Sequence, residues 1–155
     1  MDSIAFICTA NICRSPFAQS FFNKRVQELH LPFQAISAGT RSIPGSAIPE
    51  DIIAIAAEFD AAMHTHRSQP LQTADLNNCR LIIGMEQHHC DAVIRLDAAL
   101  ASKTYLLRQF AATGNKTRGI VDPFGLRPDF IRACYDDIAE SIEGLISHLT
   151  RPGAV

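Results

Sequence analysis

The sequence predicts an α/β fold of three layers, a four-stranded parallel sheet with helices on both faces. Three observations carry this. Short apolar runs alternate with stretches in which apolar residues recur every three or four positions. The run Ile4-Ala5-Phe6-Ile7 is apolar throughout, as befits a strand buried on both faces. It leads directly into Cys8-Thr9-Ala10-Asn11-Ile12-Cys13-Arg14-Ser15-Pro16, which reads as a tight strand-to-helix loop.

The remaining elements follow in order. Pro16 to about His30 reads as a helix with Ala18, Phe22, Val26 and Leu29 on one face. Ser15 suits its N-cap and Pro16 its first position, where a missing N–H costs nothing. Phe33 to Ile36 is a second strand, ending at Ser37-Ala38-Gly39-Thr40. Pro44 and Gly45 make 41–48 a loop, and Pro49 opens a helix carrying Ile52, Ile55, Ala56 and Phe59. Leu81 to Met85 is a third strand followed by a short helix, and Thr104 to Leu107 a fourth strand. A loop-rich segment, 114–127, precedes a long helix from about Pro128 to Leu149, with Ile131, Cys134, Ile138, Ile142, Leu145 and Leu149 in phase. No repeat or linker interrupts the 155 residues, so 1–155 reads as a single domain.

Composition narrows the function. A formal net charge of −2 gives no basic footprint for nucleic acid. No apolar run approaches the roughly 18 residues of a membrane span, and no secretory leader pattern is present. Five cysteines without framework spacing agree with reduced thiols and a cytoplasmic location.

The loop carries the chemistry. Backbone N–H groups of Thr9, Ala10, Asn11, Ile12, Cys13 and Ser15 can converge on one point, towards which the following helix aims its positive end. A tetrahedral oxyanion fits there, which makes this a phosphate-binding loop. The same surroundings favour a thiolate, and the strand delivers Cys8 to them. Arg14 can hold two oxygens of a phosphoryl group with its planar fork. The plainer alternative is a buried strand-end cysteine beside a surface arginine. Of the five cysteines, only Cys8 has an arginine six residues on.

A phosphocysteine route needs an acid for the leaving group and a base for water, and one carboxyl can serve both in turn. Asp122, in Val121-Asp122-Pro123-Phe124-Gly125, is the best-placed candidate. Pro123 would stiffen its loop and Phe124 could flank an aromatic ring. Asp-Pro is also common turn chemistry, so the residues alone leave both readings open.

Taken in order, Cys8 to Pro16, Ser37-Ala38-Gly39-Thr40, His66-Arg67-Ser68, Leu81 to Glu86 and Asp122-Pro123-Phe124 resemble the low-molecular-weight protein tyrosine phosphatase family over nearly the whole chain. The resemblance implies Cys8 as nucleophile, Arg14 as phosphate clamp and Asp122 as acid then base. It implies that Asn11, Ser15, Ser37 and His66 support the loop, with Ser15 donating to the Cys8 sulfur. Ile12, Ile43 and Phe124 would wall the substrate. The chain departs from the family pattern with Ala10 where many members carry Gly, Ile43 where many place an aromatic, and Gly125 in place of a frequent second aromatic. A pocket more open than usual is expected. The partners implied are a phosphotyrosine protein, a tyrosine kinase among the candidates. The chain would act as a monomer or weak dimer, without cofactor.

Other functions fit the sequence less well. Arsenate reductases of this fold need a cysteine relay after the third strand, where Met85 stands. Phosphoarginine phosphatases resemble the family closely but place Thr where this chain has Ile12, and an apolar residue there favours an aryl pocket. A catalytically weak phosphate-binding regulator would not need all three reacting residues. His88-His89-Cys90 lacks metal-ligand spacing, and reads as surface histidines with a packing cysteine, not as a metal site. Cys13 has two readings, a packing residue under the loop or a redox partner that resolves oxidised Cys8.

Overall fold

The computed structural model describes residues 1–153. Its elements are β1 (Asp2–Cys8), α1 (Arg14–Glu28), β2 (Phe33–Gly39), α2 (Glu50–Ala57), β3 (Cys79–Gly84), α3 (Gln87–Leu96), β4 (Thr104–Leu106) and α4 (Pro128–Leu149). The four strands form a parallel sheet in the order β2-β1-β3-β4. β1 is an interior strand, which is why its run Ile4 to Ile7 is apolar throughout.

Period-two alternation sorts the strand residues between two cores. Ile4, Phe6, Cys8, Leu81, Ile83 and Met85 pack with α1, α2 and α4. Ala5, Ile7 and Ile82 face the other way, onto Val93 of α3 and onto Leu71, Leu76 and Leu100. Three layers result. Phe17 of α1 stacks on Tyr135 of α4 with ring centroids 3.8 Å apart, fixing the two helices together beneath the loop. Among the described residues no helix is long and apolar enough to cross a membrane.

Several boundaries move. β2 runs to Gly39, because its pairing with β1 continues to Cys8. β3 begins earlier, at Cys79, and stops at Gly84, although the Met85 N–H still bonds to the Ile7 carbonyl. β4 ends at Leu106, and Leu107–Phe110 turns as a 3₁₀ helix. α1 ends at Glu28, so Leu29 lies past the apolar face and is 45% exposed; the chain leaves through His30 at φ +54°. α2 ends at Ala57, and Phe59 reaches the core from the turn after it.

Candidate active site

β1 delivers Cys8 as its last residue, and the chain curls through 9–13 into α1. The curl needs a left-handed residue, and Asn11 takes φ +58°, a conformation its short amide side chain tolerates. That amide is buried and fully engaged. Its Nδ2 donates to Ser15 Oγ (2.8 Å) and Ser37 Oγ (2.9 Å). Its Oδ1 accepts from the Gln69 N–H (3.0 Å) and lies 3.2 Å from His66 Nε2. The Ser37 hydroxyl in turn donates to Gln19 Oε1 (2.6 Å). Gly39 permits the close approach of β2, since a Cβ there would sit 2.5 Å from the Thr9 carbonyl.

The helix begins earlier than the sequence suggests. Cys13 is the N-cap, Arg14 the first helical residue, and Pro16 the third; Ser15 makes no capping bond. Its hydroxyl is used sideways, 2.9 Å from Cys8 Sγ.

Arg14 is buried at the head of α1. Its Nη1 pairs with Glu86 Oε1 and donates to the Ile120 carbonyl (2.7 Å). Its Nη2 lies 3.4 Å from Thr9 Oγ1 and 3.7 Å from Asp122 Oδ2. Its Nε is buried and has no hydrogen-bond partner among the described residues. A guanidinium tethered at one end, with an unsatisfied Nε–H, suits an oxyanion that would take the Nε–Nη2 edge.

Asp122 lies on the loop before α4. Its Oδ1 accepts from the Phe124 N–H (3.1 Å), and Gly125 closes the turn at φ +81°, where a side chain would be strained. Cys8, Ala10, Ile12, Cys13, Arg14, Asp122 and Phe124 line one pocket of about 80 Å³. Ile43 does not join them. It is 75% exposed, because the turn at Pro44-Gly45 is tied down through the Ile43 carbonyl, which accepts from Ser68 Oγ, while its side chain faces solvent. A larger groove of about 530 Å³ runs behind the Asp122 loop along α4 and shares only Asp122 with the smaller pocket.

His89 is not a surface residue. His88 is exposed, but His89 is fully buried, because α3 starts at Gln87 and turns it inward over Thr9. Its Nδ1 accepts the Glu86 N–H (3.0 Å), which leaves the ring proton on Nε2, 2.9 Å from Thr9 Oγ1. Burial, then the nearby Arg14 charge, push its pKa down to about 3, so it stays neutral. Glu86, His88 and His89 place ligand atoms within 4.8 Å of one another. A metal ligated by either His89 nitrogen would displace the hydrogen bond that nitrogen already makes.

Burial raises the other four thiols, to about 12 at Cys13 and about 11 at Cys79, with Cys90 and Cys134 also raised. Cys13 sits 3.6 Å from the Tyr135 hydroxyl, which donates to the Cys13 carbonyl (3.0 Å).

Sequence reasoning brought together Cys8, Arg14, Asp122 and the Asn11 network but missed Glu86, His89, Gln19, Gln69 and Tyr135. One signal was present. A Glu-x-x-His pair opening a helix just after a strand can close reciprocally, as a capping box does.

The family model for low molecular weight phosphotyrosine protein phosphatase matches residues 3–154, and the chain belongs to that family. It is 30% identical to the probable low molecular weight protein-tyrosine-phosphatase AmsI of Erwinia amylovora, over 97% of this chain and 99% of that one. It is 28% identical to the protein-arginine-phosphatase of Bacillus subtilis, over 96% and 97%. The crystal structure of the Erwinia amylovora tyrosine phosphatase AmsI superposes with a TM-score of 0.85 at 28% identity, covering 97% of this chain and 94% of that one. That of a Bacillus subtilis YwlE mutant gives 0.88 at 23%, a likeness of fold, over 97% and 100%.

Proposed function

We propose that residues 1–155 form one catalytic domain that hydrolyses aryl phosphomonoesters, protein phosphotyrosine in particular, through a phosphocysteine at Cys8. The observation that carries the reading is the convergence of Cys8, Arg14 and Asp122 on one small pocket, with Arg14 Nε unpartnered. The substrate phosphate occupies the loop, where Arg14 Nε–H and Nη2–H hold two of its oxygens. Cys8 Sγ attacks phosphorus and the aryl oxygen leaves with the Asp122 proton. Water then attacks the phosphocysteine, Asp122 takes its proton, and phosphate departs as the sulfur regains its electron pair. The loop N–H groups and Arg14 stabilise charge as it spreads over the phosphoryl oxygens. Ser15 steadies the departing thiolate. No metal takes part in these steps.

Ala10, Ile12 and Phe124 give the pocket an apolar mouth that suits an aryl ring. A phosphoarginine guanidinium would leave N–H groups unpaired against Ile12, at about 1–3 kcal/mol each. The physiological setting proposed is the cytoplasm, with a phosphotyrosine protein as partner. Competing phosphotyrosine and phosphoarginine peptides, with chelator present, tests the assignment. The proposal expects the higher kcat/KM for phosphotyrosine; a higher value for phosphoarginine would overturn it.

A further inference from the structure

His89 and Thr9 touch none of the reacting atoms, yet with Glu86 they close a ring around Arg14. Arg14 Nη1 pairs with Glu86 Oε1. The Glu86 N–H bonds to His89 Nδ1 (3.0 Å), His89 Nε2–H to Thr9 Oγ1 (2.9 Å), and Thr9 Oγ1 receives Arg14 Nη2 (3.4 Å). The ring thus grips both terminal nitrogens of the guanidinium and leaves Nε untouched. We infer that His89 is a positioning residue for phosphoryl transfer: through Thr9 and Glu86 it holds Arg14 with its Nε–Nη2 edge turned to the phosphate before substrate arrives. This rests on the reading of Arg14 as the phosphate clamp.

A neutral imidazole suits this place. One rigid side chain must accept from the Glu86 N–H and donate to the Thr9 hydroxyl. Neutral imidazole does both, one nitrogen each. Thr9 then has two donors pointed at one oxygen, which fixes its rotamer beside Nη2. Without His89 the hydroxyl is free to turn away, and Nη2 keeps only the 3.7 Å approach of Asp122, on a loop whose carboxylate is half exposed. Binding would then have to order Arg14, a cost that a preset clamp avoids.

Three variants separate positioning from packing. In His89→Asn the amide keeps an acceptor for the Glu86 N–H but is too short to reach Thr9. In His89→Gln the longer amide can offer an N–H to Thr9. Thr9→Val removes the hydroxyl at constant shape. Orthovanadate affinity by calorimetry, kcat and KM on an aryl phosphate, and the melting temperature are measured for each. The inference expects His89→Asn to lose roughly 10- to 100-fold in both vanadate affinity and kcat/KM. It expects Thr9→Val to match that loss, the double variant to lose no more than either single, and His89→Gln to recover most of it. Should His89→Asn fail to fold, Thr9→Val and His89→Gln carry the test. Vanadate binding as tight as wild type, or losses that multiply in the double variant, would overturn the inference. A wild type without turnover, whose vanadate affinity still follows these variants, would count against the hydrolytic reading and leave the Arg14 frame standing.

Discussion

The Cys8 sulfur and the Ser15 hydroxyl lie 2.9 Å apart, and with Cys8 as a thiolate the hydroxyl is the donor. Ser15 Oγ already accepts from Asn11 Nδ2 (2.8 Å), and an amide nitrogen can only donate. The hydroxyl proton is therefore free for the sulfur. Hydrogen bonds to charged groups contribute about 1.5–3 kcal/mol. Ser15→Ala should slow turnover about 10- to 100-fold, with the greater loss in the step that expels the thiolate. Pre-steady-state kinetics on a nitrophenyl substrate would show dephosphorylation slowed; an unchanged rate would place the hydroxyl outside the chemistry.

Asp122 presents a carboxylate at the pocket with only a distant Arg14 contact at 3.7 Å. General acid–base catalysis is typically worth about 10²–10⁴-fold, and Asp122→Asn should lose about that much on phenyl phosphate or phosphotyrosine. The loss should shrink for a nitrophenyl leaving group, which departs with less help. An equal loss on both substrates would reassign the acid.

The proposed reacting residues were legible because each sits in a local pattern. Cys8 to Pro16 is contiguous, and Asp122-Pro123 marks its own turn. The fold was legible for the same reason, since β1 carries the unbroken apolar run Ile4 to Ile7 and α4 keeps its phase for six turns. What the sequence concealed depends on distance. Glu86 and His89 meet Arg14 and Thr9 only because β3 lies beside β1 and delivers α3 to the same edge. Ile43 was misplaced because a loop side chain's direction follows its turn, and no periodicity reports it. Leu29 fitted the helical phase, but the helix had already ended.

His89 also sets a pH dependence of stability. An unfolded histidine titrates near 6.5, whereas folded His89 resists protonation down to about pH 3. Below about pH 6.5 the unfolded chain takes up a proton that the folded chain refuses, so stability falls as pH falls through that window. His89 alone should cost about 2 kcal/mol by pH 5. His66, whose pKa burial also lowers, acts in the same direction. Denaturant melts of wild type and His89→Gln from pH 7 to pH 4 would show a shallower slope for the variant. Parallel slopes would contradict the buried neutral imidazole.

Cys13 and Cys8 line the same pocket. If Cys13 resolves a sulfenic acid at Cys8, the Cys13 thiol must leave Tyr135 and lose its proton, and burial opposes the second step. Where Cys13 overcomes that cost, peroxide followed by dithiothreitol restores wild type, Cys13→Ser is lost irreversibly, and bound phosphate protects both. Equal recovery of the two proteins, with no Cys8–Cys13 peptide by mass spectrometry, would leave Cys13 as a packing residue under the loop.

The proposed hydrolysis passes the phosphoryl group through the Cys8 sulfur. Rapid acid quench during turnover of an aryl phosphate, with chelator present, followed by peptide mass spectrometry, tests this directly. A single phosphoryl group on the peptide that carries Cys8, absent from Cys8→Ala and from enzyme incubated without substrate, is the predicted result. Steady turnover with no phosphopeptide, or with the phosphoryl group on another residue, would contradict it.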